Sequence, residues 1–414
     1  MELEIQMLDQ QYPCTQTQKN QTQFFYGTDA QQSAGPLLKQ HGATKVLVLY
    51  GMIEWRNTLW YQQMLQSLRE SKLSYTELGG ALASAELEQI EIGIALCKKE
   101  HVDYILAVGG GSVIDSAKAI AMGAVCDNCI WTYFTTEKQP KEALPLSVLL
   151  TIPGSGSESN AQTMITNQDT MLKLCCHSPV LQPQTCIVNP EIFYTISKAQ
   201  LAHAVVAMMY RMICSYLVQA STEQDVKRQK RLEQRLKLLM RKARKLQADR
   251  FDETSWLELV LLDNMQEESC ENTQENSCQQ MAAELSAMYD IPYGAILAVL
   301  LPAWLQFISR NHMTSLRLFA KHVMNISDNM TAEEQVTQAI SKLQDFFAEL
   351  QLANNLCDLG IHEFCLKNAA QICTGYGWGE EKPVGVIQTL YWQDLYQIYQ
   401  SVCKRPMLEK TCSA

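Results

Sequence analysis

Two glycine-rich segments of this chain follow runs of branched apolar residues, and both have the composition of a phosphate cradle. The first is Gly109, Gly110, Gly111 and Ser112, directly after Tyr104 to Val108. Three glycines let a backbone approach a diphosphate closely, and a helix beginning there aims free N–H groups at the anion. Asp115 and Lys118 fall on the first turns of that helix. The second segment runs from Thr151 to Glu158 (TIPGSGSE). Its hydroxyls on Thr151, Ser155 and Ser157 suit phosphate or ribose oxygens. A glycine count alone is a weak signal, because a tight strand-to-helix turn without any ligand needs the same residues. Two such loops after strands of one domain favour a nucleotide cleft.

The elements that must position these loops alternate in type. Lys45 to Tyr50 (KVLVLY), Tyr104 to Val108 (YILAV) and Leu146 to Ile152 read as buried strands. Leu59 to Ser71, and the stretch from Ser112 through Ala121, read as helices. Strands rich in Val, Ile and Leu with helices between them indicate a parallel α/β sheet. After Pro190 the character changes. Ser197 to Gln219, Lys227 to Gln247, Trp256 to Met265, Gln279 to Tyr289, Gly294 to Ser309 and Thr331 to Leu350 all show helical periodicity. The expected organisation is a polar, Gln-rich N-terminal segment over 1–22, an α/β domain over 23–190 and an all-helical domain over 191–414.

A chain of 414 residues is too long for one ordinary core. Its 47% apolar and 19% charged residues sit within the globular range. No apolar run approaches the ~20 residues of a membrane span. The start MELEIQMLDQQYP lacks the pattern of a signal peptide, so a cytoplasmic protein is expected. Fifteen cysteines are scattered, with one C-x-x-C at Cys126 and Cys129 and a vicinal pair at Cys175 and Cys176. No second pair completes a zinc pattern, and reduced thiols are the expectation.

The net charge of −10 is uneven: ten basic residues and one acid, Glu233, lie between Lys227 and Lys245. The remainder is strongly acidic, which argues against general nucleic-acid binding, and no membrane association is expected. Leu232, Leu236, Leu239, Ala243 and Leu246 fall at helical spacing there. The plain reading is one amphipathic helix with a solvated cationic side. The sharper one is a dock for nucleic acid, an anionic membrane or an acidic partner.

VGGGSVIDSAKAIA resembles the diphosphate loop of iron-containing alcohol dehydrogenases, and LTIPGSGSESN resembles their second cofactor loop. The similarity continues through MITNQDTMLK, SPVLQPQTCIVNPEIFYTISKAQLA and SAMYDIPYGAILAVLLPAWL, and spans about residues 23–403. The branch it resembles is that of the NADPH-dependent butanol dehydrogenases, which reduce aldehydes. The resemblance implies a dehydroquinate synthase-like fold, with a dinucleotide-binding α/β domain followed by a helical domain. It further implies a small alcohol or aldehyde as substrate and a homodimer as the assembly. It places Gly109, Gly110, Gly111, Ser112, Asp115, Thr151, Ser157 and Lys173 at the cofactor.

In that family the second domain supplies four metal ligands: an Asp, a His four residues on, and two His fourteen residues apart. Alignment of TISKAQLAHAVVAMMYRMICSYL without gaps places Ala207 and Arg211 at the first two positions. Alignment of YDIPYGAILA places Tyr293 at the last His, Gln279 fourteen residues before it and Ala283 at a further common His. Alanine offers no donor and arginine is a permanent cation, so no metal is expected. His203 and Asp290 remain as lone candidates for a relocated site. The family's Gly-rich turn after the first strand is here Gly51, Met52, Ile53 and Glu54. Two bulky side chains and a like charge weaken NADP binding and favour NAD.

Two functional readings follow. One is a degenerate dehydrogenase, a pseudoenzyme that retains a nucleotide cleft and serves as a binding, regulatory or partner subunit. The other is an active, metal-independent alcohol or aldehyde oxidoreductase in which Tyr293 or Arg211 polarises the carbonyl.

Overall fold

The computed structural model describes residues 22–80, 85–126, 128–136, 138–170, 172–218, 222–264, 275–376 and 381–403. The polar segment expected over 1–22 lies outside them except for Thr22, as do the helix ends placed at Gln219 and Met265.

The first part of the chain alternates strand and helix: β1 (Gln23–Tyr26), α1 (Ala34–Gln40), β2 (Lys45–Tyr50), α2 (Leu59–Glu70), β3 (Ser74–Gly79), α3 (Leu87–Glu100), β4 (Tyr104–Gly109), α4 (Gly111–Val125) and β5 (Leu146–Leu150). An antiparallel hairpin, β6 (Gln162–Asn167) and β7 (Leu172–His177), precedes β8 (Thr185–Val188). Six strands form one sheet in the order β1-β8-β5-β4-β2-β3, and every pair in it is parallel. Every residue of β4 and β5 is buried, as expected of strands covered on both faces. β5 ends at Leu150, two residues before the expected boundary, because Thr151 already turns into the loop. The hairpin was not expected: β7 reads LKLCCH, a run with no turn-flanked Val or Ile pattern.

The described residues form two compact units, one of those up to Ala204 with Arg241 to Asn264, the other of Val205 to Met240 with those from Glu275 onward. Two long helices, α6 (Lys198–Leu217) and α7 (Glu223–Ala248), have residues in both units, while α8 (Glu253–Asn264) belongs with the sheet. The second unit continues with α9 (Ser277–Tyr289), α10 (Tyr293–Ile308), α11 (Met313–His322), α12 (Ala332–Glu349), α13 (Glu363–Cys373) and α14 (Trp392–Ser401). Its one strand-type pairing among the described residues is an isolated bridge, Val384 to Leu390. No described helix is long and apolar enough to cross a membrane.

α7 buries Leu232, Leu236, Leu239, Ala243 and Leu246, the predicted apolar stripe. Its cationic side is only partly solvated, a correction to the plain reading. Arg228, Arg235 and Lys242 recur every seven residues and are only 7%, 5% and 9% exposed. Arg228 pairs with Asp225 at 3.5 Å and Lys242 with Glu258.

In the helical unit Tyr399 of α14 donates to the Met281 carbonyl of α9 at 2.9 Å. Between these helices Glu284 is fully buried, and neither carboxyl oxygen has a hydrogen-bond partner. Burial pushes its carboxyl up to about 8 from the ordinary 4.5. The unfolded chain releases this proton near 4.5, whereas the native chain retains it to about 8. The Glu284-dependent part of stability is therefore greatest at low pH, falls between these two values and is level above them. Glu284→Gln removes this slope. Its advantage over the parent, read from denaturant midpoints, should grow from pH 5 to pH 8.5; a constant difference would show that the carboxyl is hydrated.

Candidate functional site

The strand order fixes where a ligand crevice lies. From β2 the chain moves outward to β3, then returns to place β4 on the other side of β2. In an open parallel sheet such a reversal leaves a crevice at the carboxyl ends of the two strands. Here those ends carry Gly51 and Gly109. The predicted GGGS lies at this point: Gly110 caps α4 with extended backbone and, having no side chain, makes no cap hydrogen bond of its own. Positive helix-end potential suits an anion.

The glycines also have a packing reason. A Cβ on Gly110 would stand 2.1 Å from Ile152 Cγ2, one on Gly111 2.7 Å from Ser155 Cβ, and one on Gly109 2.5 Å from Val113 Cβ. Loop 151–158 therefore lies directly against loop 109–112, joined by the Thr151 N–H to the Gly109 carbonyl at 3.1 Å. Gly154 has φ +113, in the left-handed region, and a Cβ there would meet Ala204 Cβ at 2.6 Å. Its N–H donates to Asp263 Oδ2 at 2.7 Å.

Beneath the loops lies a buried charge network. Lys118 is fully buried, and its ammonium donates to Asn160 O (2.8 Å), Asn160 Oδ1 (2.9 Å) and Gln162 O (2.8 Å). Burial pulls it down to about 8, against the attraction of Asp115 and Glu158. Asp115 accepts from Ser157 Oγ at 2.8 Å and the Met164 N–H at 3.3 Å. Burial pushes Asp115 up to about 6, opposed by Lys118, Ser157, the Met164 N–H and Lys173. The structure thus gathers Gly109, Gly110, Gly111, Ser112, Asp115, Thr151, Ser157 and Lys173 around one strand-end region. Asp115 and Ser157 are bonded to each other there. Asn160 and Glu158 had no role in the sequence reading, because their meaning depends on a contact 42 residues away for Asn160.

On the other lip, Met52 and Ile53 are 54% and 62% exposed. Glu54 is also exposed in the short 3-10 turn Ile53–Asn57. A Cβ on Gly51 would stand 3.3 Å from Val113 Cγ2, so this turn lies beside the first turn of α4.

The helical unit carries Ala207, Arg211, Gln279 and Tyr293. Ala207 and Arg211 lie one turn apart on α6. Between them Tyr210 donates to the Glu275 carbonyl at 3.0 Å and accepts the Gln279 N–H at 3.2 Å. Tyr293 begins α10. Burial raises its phenol well above the ordinary value, Cys278 adds to this, and the Arg211 guanidinium opposes it. Arg211 and Tyr293 are therefore electrostatic neighbours, with Cys214 and Cys278 beside them. Tyr210, Cys214, Cys278 and Glu275 were not legible in the sequence, since no spacing marks them.

His203 lies one turn before Ala207, where burial lowers its pKa. Asp290 is the exposed left-handed cap of α9, at φ +51. Among the described residues no three His, Cys, Asp or Glu side chains are grouped as metal ligands.

Residues 21–190 match the family described as iron-containing alcohol dehydrogenase. Residues 202–401 match the C-terminal part of the Fe-containing alcohol dehydrogenase family. This chain belongs to the iron-containing alcohol dehydrogenase family. It is 30% identical over 351 residues to a probable NADH-dependent butanol dehydrogenase 1 of Bacillus subtilis, covering 83% of this chain and 89% of that protein. It is 28% identical over 327 residues to the NADPH-dependent aldehyde reductase YqhD of Escherichia coli, covering 77% and 82%. The crystal structure of NADH-dependent butanol dehydrogenase A from Thermotoga maritima superposes with TM-score 0.87 at 27% identity, covering 94% of this chain and 99% of that one.

Lys118→Met tests the buried network. It keeps the volume but removes the ammonium from two carbonyls and a side-chain oxygen, and leaves Asp115 with Lys173 as its remaining cation. Losing one partner of a buried charge network should cost roughly 3 kcal/mol. Denaturant unfolding should show this loss; a change below about 0.5 kcal/mol, the ordinary size for an uncoupled surface site, would refute it.

Proposed function

We propose that this chain is a nicotinamide-dinucleotide-binding member of its family in which metal-dependent hydride transfer is lost. The observation that carries this reading is the donor inventory at Ala207, Arg211, Gln279 and Tyr293. A divalent ion needs several anionic or imidazole ligands. These positions offer one amide, one phenol kept protonated by burial, and a guanidinium whose charge repels a cation. The residues do not fit the metal.

They do fit a dinucleotide. The uncapped start of α4 would hold the diphosphate, and the hydroxyl-bearing loop after β5 lies against it. Bound nicotinamide supplies or accepts the hydride in this family's chemistry. Exposed Met52 and Ile53, with the carboxylate of Glu54, disfavour an added 2′-phosphate, which supports NAD over NADP. Relatives named as NADH-dependent butanol dehydrogenases support the same preference.

The proximity of Arg211 and Tyr293 favours a second reading. In it the pair donates hydrogen bonds to a carbonyl oxygen as hydride arrives at carbon, stabilising the alkoxide without metal. A small aldehyde is the substrate this would suit.

Metal analysis, nucleotide titration and aldehyde assays separate the readings. The purified protein should contain no stoichiometric iron or zinc, and adding either should not raise aldehyde reduction. NADH should bind more tightly than NADPH, and Glu54→Gln should narrow the gap. Stoichiometric metal whose chelation abolishes activity would overturn the proposal. Metal-free NADH-dependent reduction that Arg211→Met abolishes would select the second reading.

A further inference from the structure

The helical unit holds a thiol pair that the nucleotide and ligand positions do not use. Cys357 begins the 3-10 turn Cys357–Leu359, and Cys403 follows the end of α14. Their sulfurs are 3.5 Å apart, with Cys357 Sγ also 3.5 Å from the Cys403 carbonyl. One residue earlier the two backbones are joined, the Leu356 N–H donating to the Val402 carbonyl at 2.9 Å. The Ile361 N–H closes the turn onto the Leu356 carbonyl at 3.0 Å. The backbone thus fixes the pair side by side, and the sulfurs need approach only to about 2.05 Å to bond. Among the described residues no other pair of cysteine sulfurs is in such contact. Cys365 lies on α13 beside Tyr289, and exposed Cys129 is in C-x-x-C with Cys126.

We propose that Cys357 and Cys403 form a site of reversible disulfide modification, with a peroxide as oxidant and a dithiol as reductant. Cys357 is partly exposed, whereas Cys403 is near the buried limit, so the peroxide meets Cys357 first. Its thiolate sulfur takes oxygen from hydrogen peroxide, giving a sulfenic acid and hydroxide, which leaves as water. Cys403 sulfur then attacks the Cys357 sulfur, hydroxide departs as water, and the disulfide forms. Two thiols and one peroxide give one disulfide and two waters. Burial and the Cys357 neighbour push Cys403 up to about 11, consistent with its role as the second, resolving thiol.

The linkage would enclose α13, α14 and the loop that grips Glu275. In that loop the Val386 and Ile387 N–H groups donate to Glu275 Oε2 at 2.8 and 2.7 Å. Glu275 in turn accepts Tyr210 through its carbonyl. Closing this loop restricts the unfolded chain and staples the segment that supports the start of α9.

The test uses the full chain, reduced, freed of reductant and treated with one equivalent of hydrogen peroxide. Non-reducing digestion uses trypsin and a protease cutting after Glu, because Glu363 separates Cys357 from Cys365. Mass spectrometry should find Cys357 linked to Cys403 as the main product, with two thiols lost and both recovered with dithiothreitol. The thermal midpoint should rise by roughly 5 °C on oxidation, a rise absent in Cys357→Ser. In Cys403→Ser, a sulfenic-acid trap should label Cys357. A main link through Cys365, Cys129 or Cys175, or both thiols surviving while exposed cysteines are consumed, would overturn the assignment.

Discussion

The ammonium of Lys118 is the charge on which the strand-end crevice depends. A fully buried cation is costly unless its donors are met, and three oxygens of Asn160 and Gln162 meet them. Those oxygens belong to the segment that leaves loop 151–158 for the β6–β7 hairpin. α4, whose N-terminus faces the crevice, is thereby locked to the loop opposite it. Asp115 completes the clamp through Ser157 and the Met164 N–H. The bare glycines at 109–111 then become necessary, since Val113, Ile152 and Ser155 occupy the space a Cβ would need. Phosphate-type architecture here is a consequence of buried charge and close backbone approach together.

This explains what the sequence made legible. KVLVLY, YILAV and the apolar run from Leu146 are continuous, and a strand buried on both faces needs such continuity; these read correctly. The helices after Pro190 were legible because their apolar periods are long, as in α7 and α12. The β6–β7 hairpin was not, because its strands mix Thr, Asn, Lys and Cys and owe their form to packing beside α4. α1, α11, α13 and α14 are short, and helices of that length gain their stability from tertiary burial more than from local pattern. In the site, glycine and hydroxyl residues announced themselves by clustering. Asn160, Tyr210 and Glu275 act through partners between 42 and 65 residues away or more, and carry no local mark.

The helical unit poses a different electrostatic problem. Here α6 and α10 bring a guanidinium and a buried phenol, Arg211 and Tyr293, into each other's field. Tyr210 spans Glu275 and Gln279 with one hydroxyl, giving one hydrogen bond and taking another. Arg211 brings a fixed positive charge beside the Tyr293 phenol and lowers the cost of placing negative charge there. A guanidinium is weakly hydrated and directional, and its N–H groups suit an oxyanion. Phenol and guanidinium are thus electrostatically matched, the fixed cation opposing the burial that keeps the phenol neutral.

The basic helix shows why composition alone misjudges a charge run. A solvated cationic face would leave its charges interchangeable, yet Arg228, Arg235 and Lys242 repeat every seven residues on a buried line. Seven residues are almost two helical turns, so the three side chains descend one side of α7 in register. Lys242 meets the buried Glu258, and Arg228 meets Asp225. Long side chains bury their methylene stems while keeping their heads on polar partners. Lys227, Lys230, Lys237, Arg241, Arg244 and Lys245 remain outward and carry the helix's exposed charge. The same ten basic residues thus divide by angle around one helix into packing cations and surface cations. Replacing Arg235 removes packing as well as charge, whereas replacing Lys237 removes only charge.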